Sequence, residues 1–503
     1  MGLNEILPKA IRLWPKKEGV VCRDIRLKYV DIGKRIFSLC SGLKDLGIKK
    51  GDRVAILYEN CHRFLESYFS CAHLGAILVP INIRLSKMEI SDIISDSGSI
   101  LLITQKKFMD RIDGSKIRCI DEEEYESILE EFDPEIPEIE IQDEDIAQIY
   151  YTSGTTGKPK GVILTHKNVK IHALGTIAEL HLTDRDNWIH AAPMFHLADA
   201  WATFSITWVG GKHVFVPVFD TEMVLKLIEK EKITITNLIP TMLNMMVNHP
   251  NVGKYDYSSL RILMSGGAPI AEELVKKIID TFKCEYIQTY GMTETSPYLT
   301  MSILKEHLKR LPEEEQLKYR SKTGREFITV SLRVVDENGR DVKRDGKQVG
   351  EIIVKGDTIT PGYWKRPEET KEAIKDGWLY TGDLATIDEE GYVQIVDRKK
   401  DMIITGGENV YSVEVENVLY MHPAILEAAV IGVPDEKWGE AVKAVVVLKD
   451  GYSVTEEELI KFCKEHLASY KIPKSVDFVD SLPKTGSGKI YKKALREKYW
   501  RKK

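Results

Sequence analysis

Short apolar runs recur along the chain at 53–58, 100–104, 187–192 and 213–217, each closed by turn formers or charges. Runs of this length predict buried strands. Between them, 29–46 and 221–230 carry apolar residues every three or four positions, the spacing of helices with one buried face. Strands alternating with helices predict an α/β fold with largely parallel sheets. The acidic, Pro-containing stretch 121–145 reads as a surface connection ahead of the next strand.

Further along, the rhythm changes. The segments 331–336, 350–355 and 392–396 alternate apolar and polar residues and are separated by Glu-Asn-Gly, Lys-Asp-Gly and Glu-Glu-Gly turns. This predicts an antiparallel β unit. A helix near 412–421, strands near 426–433 and 441–448, and a helix near 455–466 then suffice for a small α+β domain. A chain of 503 residues exceeds what one hydrophobic core organises. The expected division is a large domain at 1–397, with two parallel-rich α/β subdomains and a small β-barrel-like unit, and a mobile domain at 398–503. The hinge falls at 397–401, where Asp-Arg-Lys-Lys-Asp interrupts the apolar pattern.

Composition narrows the class. With 71 Lys and Arg against 77 Asp and Glu, the net charge of −6 gives no bulk attraction for nucleic acid. Seven scattered cysteines without a CxxC pair argue against a structural zinc site and read as reduced thiols of a cytoplasmic protein. The first fifteen residues lack the apolar core of a secretory signal, and no uncharged apolar stretch has the length of an integral membrane segment. A homodimer is left open.

The sharpest chemical signal follows the strand expected at 146–151. It comprises Thr152, Ser153, Gly154, Thr155, Thr156, Gly157, Lys158, Pro159 and Lys160. Glycines let the backbone bend toward a ligand, the hydroxyls donate hydrogen bonds, and two lysines supply positive charge, a combination suited to a triphosphate. It is not a Walker A loop: Thr152 stands where that motif needs glycine, and Pro159 follows its lysine.

The run Tyr-Thr-Ser-Gly-Thr-Thr-Gly-Lys-Pro-Lys-Gly closely resembles the signature of the adenylate-forming superfamily, which comprises acyl-CoA synthetases, nonribosomal adenylation domains and beetle luciferases. Further motifs stand in that family's order over nearly the whole chain. Pro193-Met-Phe-His196 is similar to the aromatic/His motif beside the carboxylate, and Ser265-Gly266-Gly267-Ala268-Pro269 to the turn against adenine and the acyl pocket. In Tyr290-Gly291-Met-Thr293-Glu294, the resemblance implies that Tyr290 stacks on adenine and Thr293 meets the α-phosphate. Glu294, with Thr155, would hold Mg²⁺. It likewise assigns Asp383 to the ribose, Arg398 to the ribose or a phosphate, Lys400 to the hinge and Gly407 to the CoA tunnel. The loop 483–489 resembles the one that carries the adenylation lysine, which would be Lys489. Together these imply an AMP-forming acid–thiol ligase using Mg²⁺, ATP and CoA on a small-molecule carboxylic acid.

The segment Leu-Ala-Asp-Ala-Trp201 after His196 is similar to the place where long-chain synthetases carry a gating tryptophan, and the insert 302–324 looks like that branch and its medium-chain relatives. A medium- or long-chain fatty acid is therefore expected, with Trp201 and Gly266 at its pocket. A ligase for an aryl or short acid is the alternative. A non-catalytic nucleotide sensor, from a different class, is disfavoured by the intact Glu294, Asp383, Arg398 and Lys489.

Overall fold

The structure is a computed structural model that describes all residues except 1, 115–116, 153–158, 269, 485–489 and 501–503. The chain forms two compact units, one of Met1–Ser331 with Val354–Leu379, the other of Leu332–Ile353 with Tyr380–Lys503.

The first unit holds two sheets, and in both the parallel strands form the buried centre. One sheet runs in the order Arg118–Ile120, Leu101–Thr104, Arg53–Leu57, Ile77–Pro80, Ile146–Thr152, Lys160–Thr165. Its first five strands are parallel and the last is antiparallel. The second sheet is built on six parallel strands: Glu285–Gly291, Ile262–Ser265, Ile235–Leu238, Asn187–His190, Lys212–Phe215 and Glu18–Cys22. Antiparallel strands Tyr298–Met301 and Ile25–Lys28 flank it. Helices fill the connections where the periodicity predicts them, among them Tyr29–Asp45 and Thr221–Lys230. Val224, Leu225 and Ile228 of the latter enter a core with Val214, Val216 and Leu263.

One expectation needs correction. The stretch 121–145 is not a plain connection, because it opens with the helix Glu122–Glu131. Asp121 caps that helix by accepting from the amides of Glu123 and Glu124, and Tyr125 and Ile128 face inward. The acidic first turn masks a two-residue apolar face too sparse to register as a period.

Mostly within the second unit, strands Val330–Val335, Gly350–Gly356, Trp378–Ile387 and Tyr392–Arg398 lie side by side in that order. A hairpin of Ile403–Thr405 and Glu408–Val410 follows, then the long pair Ile425–Asp435 and Gly439–Leu448. Helices Ser412–Met421 and Glu456–His466 pack on that sheet through Val415, Leu419, Leu459 and Cys463. No helix among the described residues is long and apolar enough to cross a membrane.

Candidate active site

The stretch expected to bind phosphate lies between two paired strands. Ile146–Thr152 and Lys160–Thr165 are antiparallel, and Thr152 stands directly opposite Lys160. The loop's two ends are therefore fixed at one sheet edge, while Ser153, Gly154, Thr155, Thr156, Gly157 and Lys158 lie outside the described residues. Lys160 lies with its ammonium 5.3 Å from the ring centre of Tyr363. The Tyr363 hydroxyl donates to Oε1 of Glu294 at 3.0 Å. Burial, with Glu294 beside it, pushes the Tyr363 phenol up, so it stays a donor. One tyrosine thus joins the second strand of the loop to the carboxylate that the sequence marks for metal.

Backbone bonds fix the same arrangement. The Ile163 amide donates to Gly362 O, the Trp364 amide to Gly161 O, and the Thr360 amide to Glu294 O. Segment 358–364 is consequently wedged between the loop hairpin and the Glu294 turn. Nothing in the motif reading singled it out; its only sequence cue is Pro361-Gly-Tyr-Trp364.

Tyr290 and Gly291 end the strand Glu285–Gly291, and Thr293–Thr295 form a 3-10 turn before the chain returns along Tyr298–Met301. Gly291 is required by sterics: a Cβ there would lie 1.8 Å from the Pro297 carbonyl oxygen. Glu294 is buried, while Tyr290 and Thr293 are partly exposed. At the neighbouring strand end, a Cβ on Gly266 would lie 2.4 Å from Thr289 Oγ1. Gly267 has φ +84°, a conformation that favours glycine, and it is exposed with Ala268, while Pro269 lies outside the described residues.

His196 caps the short helix Leu197–Ala200, and its ring lies 4.7 Å from that of Phe195. Asn60 clamps the approach to it, donating to the carbonyls of His190 and Ala192 and accepting from the Met194 amide. The Tyr68 hydroxyl donates to Met194 O and accepts from Tyr150 at 2.6 Å, so the loop's first strand and the His196 motif share one buried contact. Asn60 and Tyr68 escape sequence reading because neither sits in a motif. Trp201 is buried, edge-to-face with Trp188 at 4.9 Å and Tyr298 at 5.4 Å.

Asp383, Arg398, Lys400 and Gly407 of the sequence reading lie in the second unit. Asp383 and Arg398, fifteen apart in sequence, are cross-strand partners, with Nε of Arg398 2.7 Å from Oδ1 of Asp383. Asp383 is buried, so the guanidinium neutralises it and fixes its orientation. Lys400 offers its carbonyl to Arg496, and burial lowers its ammonium. Before it, Asp397 is buried and accepts from Ser412 and from the Arg398 amide. Gly406 and Gly407, at φ +59° and +87°, form the two-residue turn between Ile403–Thr405 and Glu408–Val410. Lys489 lies outside the described residues; Lys484 and Ile490, on either side of 485–489, form an isolated antiparallel bridge.

Glu294 is also the test for Mg²⁺. Among the described residues no three His, Cys, Asp or Glu side chains converge on a metal position. A single buried carboxylate fits an ion that arrives on a triphosphate and keeps phosphate and water oxygens, as Mg²⁺ does.

The sequence model of the AMP-binding enzyme family matches residues 7–364, and that of the AMP-binding enzyme C-terminal domain matches 414–489. The chain belongs to the adenylate-forming acyl-CoA synthetase superfamily. As such it is an AMP-forming acid–thiol ligase that uses Mg²⁺-ATP and CoA. It is 38% identical over 503 residues to a feruloyl-CoA synthase of an Amycolatopsis species, covering 99% of both chains. It is 36% identical over 485 residues to a long-chain-fatty-acid–CoA ligase of Mycobacterium tuberculosis, covering 95% and 94%. Among solved structures it resembles o-succinylbenzoate CoA synthetase of Bacillus subtilis with its acyl-adenylate intermediate, at TM-score 0.88 and 31% identity over 99% and 98% of the chains. The same synthetase bound to ATP and a magnesium ion matches at TM-score 0.87 and 31% identity, over 98% of both chains.

Proposed function

We propose that this synthetase activates an apolar carboxylic acid, a medium- or long-chain fatty acid, and that the site residues read from the sequence carry out both halves of the reaction. The observation that supports the site most directly is the Lys160–Tyr363–Glu294 contact, which brings the phosphate-loop strand to the buried carboxylate.

In the first half-reaction a carboxylate oxygen of the acid attacks the α-phosphorus of ATP. The new O–P bond forms as the bond to the β-phosphate oxygen breaks, and pyrophosphate leaves. Thr152 and residues 153–158 hold the β- and γ-phosphates, Tyr290 stacks on adenine beside Gly267, Ala268 and Pro269, and the Asp383–Arg398 pair takes the ribose. His196 orients the acid, and Thr293 and Lys489 meet the α-phosphate as charge redistributes; no protein nucleophile takes part. Glu294, with Thr155, would hold Mg²⁺, which supplies positive charge against the phosphate oxygens. In the second half-reaction the CoA sulfur attacks the acyl carbon, the C–S bond forms, and AMP departs with the former carboxylate oxygen. The small domain, residues 398–503, turns about Lys400 between the halves and presents Gly407 to the thiol. Seven free thiols, six of them buried, fit a cytoplasmic location.

A second reading, an aryl acid, draws support from the aromatic surroundings of Trp201 and from the feruloyl-CoA synthase likeness. A panel of acids from acetate to palmitate, with benzoate, ferulate and o-succinylbenzoate, ranked by kcat/KM for AMP release, decides between them. The fatty-acid reading expects an optimum at eight carbons or longer, on the order of 10-fold above any aryl acid. A ferulate or benzoate optimum would overturn it.

A further inference from the structure

Behind the His196–Trp201 segment runs a chain of polar side chains that the reaction does not use. Asp199 Oδ1 lies 3.3 Å from Nε1 of Trp188, and its Oδ2 lies 2.5 Å from Nδ1 of His190. His190 Nε2 lies 3.0 Å from Nδ1 of His213, whose Nε2 lies 3.0 Å from the Thr207 hydroxyl. All five residues are at most 2% exposed. One arrangement satisfies every polar atom with both imidazoles neutral. Thr207 donates to His213, His213 to His190, and His190 and Trp188 both donate to an ionised Asp199. Burial holds the His213 imidazolium far below the usual range and raises the Asp199 carboxyl, which the His190 and Trp188 donors oppose.

Burying a carboxylate is costly unless each oxygen is paired, and a fully paired network fixes one geometry. The fixed element here is the helix Leu197–Ala200, whose first cap is His196 and last cap Trp201. A four-residue helix cannot hold itself. Asp199 ties it to the strand Asn187–His190, and Asn237 ties it to Ile235–Leu238 by donating to Ala198 O at 2.8 Å. The Trp201 indole donates to that same carbonyl.

We propose that Asp199 is a positioning residue for the acid. Through Trp188 and His190 it sets the helix that aims His196 at the carboxylate and Trp201 at the acyl chain. This rests on the acid-binding role given above to His196 and Trp201.

The test compares Asp199→Ala, Asp199→Asn and Thr207→Val. Alanine leaves Trp188 and His190 unpaired and frees the helix. Asparagine can accept from Trp188 and donate to His190 once both imidazoles exchange tautomers, so it should rescue. Thr207→Val disturbs the far end of the same buried network without touching the helix. Asp199→Ala should raise the KM for the acid on the order of tenfold to a hundredfold while the KM for ATP stays within about twofold. Asp199→Asn and Thr207→Val should keep the wild-type KM for the acid within about threefold. Trp188→Phe, which removes one donor only, gives a smaller rise and replaces the alanine variant if that does not fold. Equal rises in both KM values, or a Thr207→Val enzyme as impaired toward the acid as Asp199→Ala, would overturn the proposal. Wild-type protein that releases no AMP with any acid would instead refute the acid-binding reading. Positioning is then read from the near-UV circular dichroism of the Trp188–Trp201 pair. Its loss in Asp199→Ala alone supports the proposal, and its retention there overturns it.

Discussion

At Glu294 a buried carboxylate takes the Tyr363 hydroxyl on one oxygen and faces the phosphate-loop hairpin through the same tyrosine. Replacing Glu294 by Gln removes the charge but keeps the shape, and should cut AMP formation on the order of 10²–10³-fold. Tyr363→Phe removes one donor and should cost about tenfold or less, with the loss in kcat. Parallel kinetics on the two variants check the ordering; a Tyr363→Phe defect as deep as Glu294→Gln would contradict it. A second prediction concerns pH. His172 is enclosed by Trp201, Tyr298 and Phe327, and burial lowers its imidazolium to about 3. The unfolded chain binds a proton at about pH 6.5 that the folded chain refuses, so stability is lost as pH falls through that window. Between pH 6.5 and 5.0, wild type should lose about 2 kcal/mol more than His172→Phe in urea unfolding. Equal losses would show that His172 is protonated in the folded chain. Residue identity was the most legible layer: Glu294, Asp383 and Arg398 were named from motifs. What was not legible is who holds them. Tyr363 lies 69 residues from Glu294 in sequence and meets it only because segment 358–364 threads between two other elements.

At the level of elements, turns place the chemistry. Gly291 is the tightest: with Pro297 O at 1.8 Å from any added Cβ, Gly291→Ala must push the Thr293–Thr295 turn away from its strand. AMP formation should fall at least about tenfold, whereas the fold, held by the parallel strands, should persist by far-UV circular dichroism. Full activity in the alanine variant would refute the close approach. The phosphate loop illustrates how far patterning reaches. Its strand, its glycines and its hydroxyls were readable, but not that it closes a hairpin with Thr152 opposite Lys160. Register is a pairing between segments, and one segment's composition does not specify its partner. The helix Glu122–Glu131 was missed for the opposite reason, since only two of its ten residues, Tyr125 and Ile128, are buried.

Across the whole molecule, alternation of strand and helix predicted the parallel-rich α/β sheets, and the Glu-Glu-Gly turn predicted the antiparallel pair Trp378–Ile387 and Tyr392–Arg398. The choice of acid was not legible, because the surroundings of Trp201 are assembled from His172, Trp188 and Tyr298, which come from separate elements. If one site serves two half-reactions, variants should separate them. Lys489→Ala should abolish pyrophosphate release yet still convert supplied acyl-adenylate to acyl-CoA. Gly407→Asn keeps a residue that tolerates φ +87° but adds a side chain, and should slow thioester formation more than adenylation. Equal loss of both halves in either variant would contradict the assignment. The most direct measurement follows the products of ATP when the preferred acid is supplied first without CoA and then with it. The account predicts one equivalent of pyrophosphate per enzyme and an enzyme-held acyl-adenylate in the first stage, then AMP and acyl-CoA in equal amounts on adding CoA. ADP and inorganic phosphate as products, or AMP release independent of the acid, would contradict it.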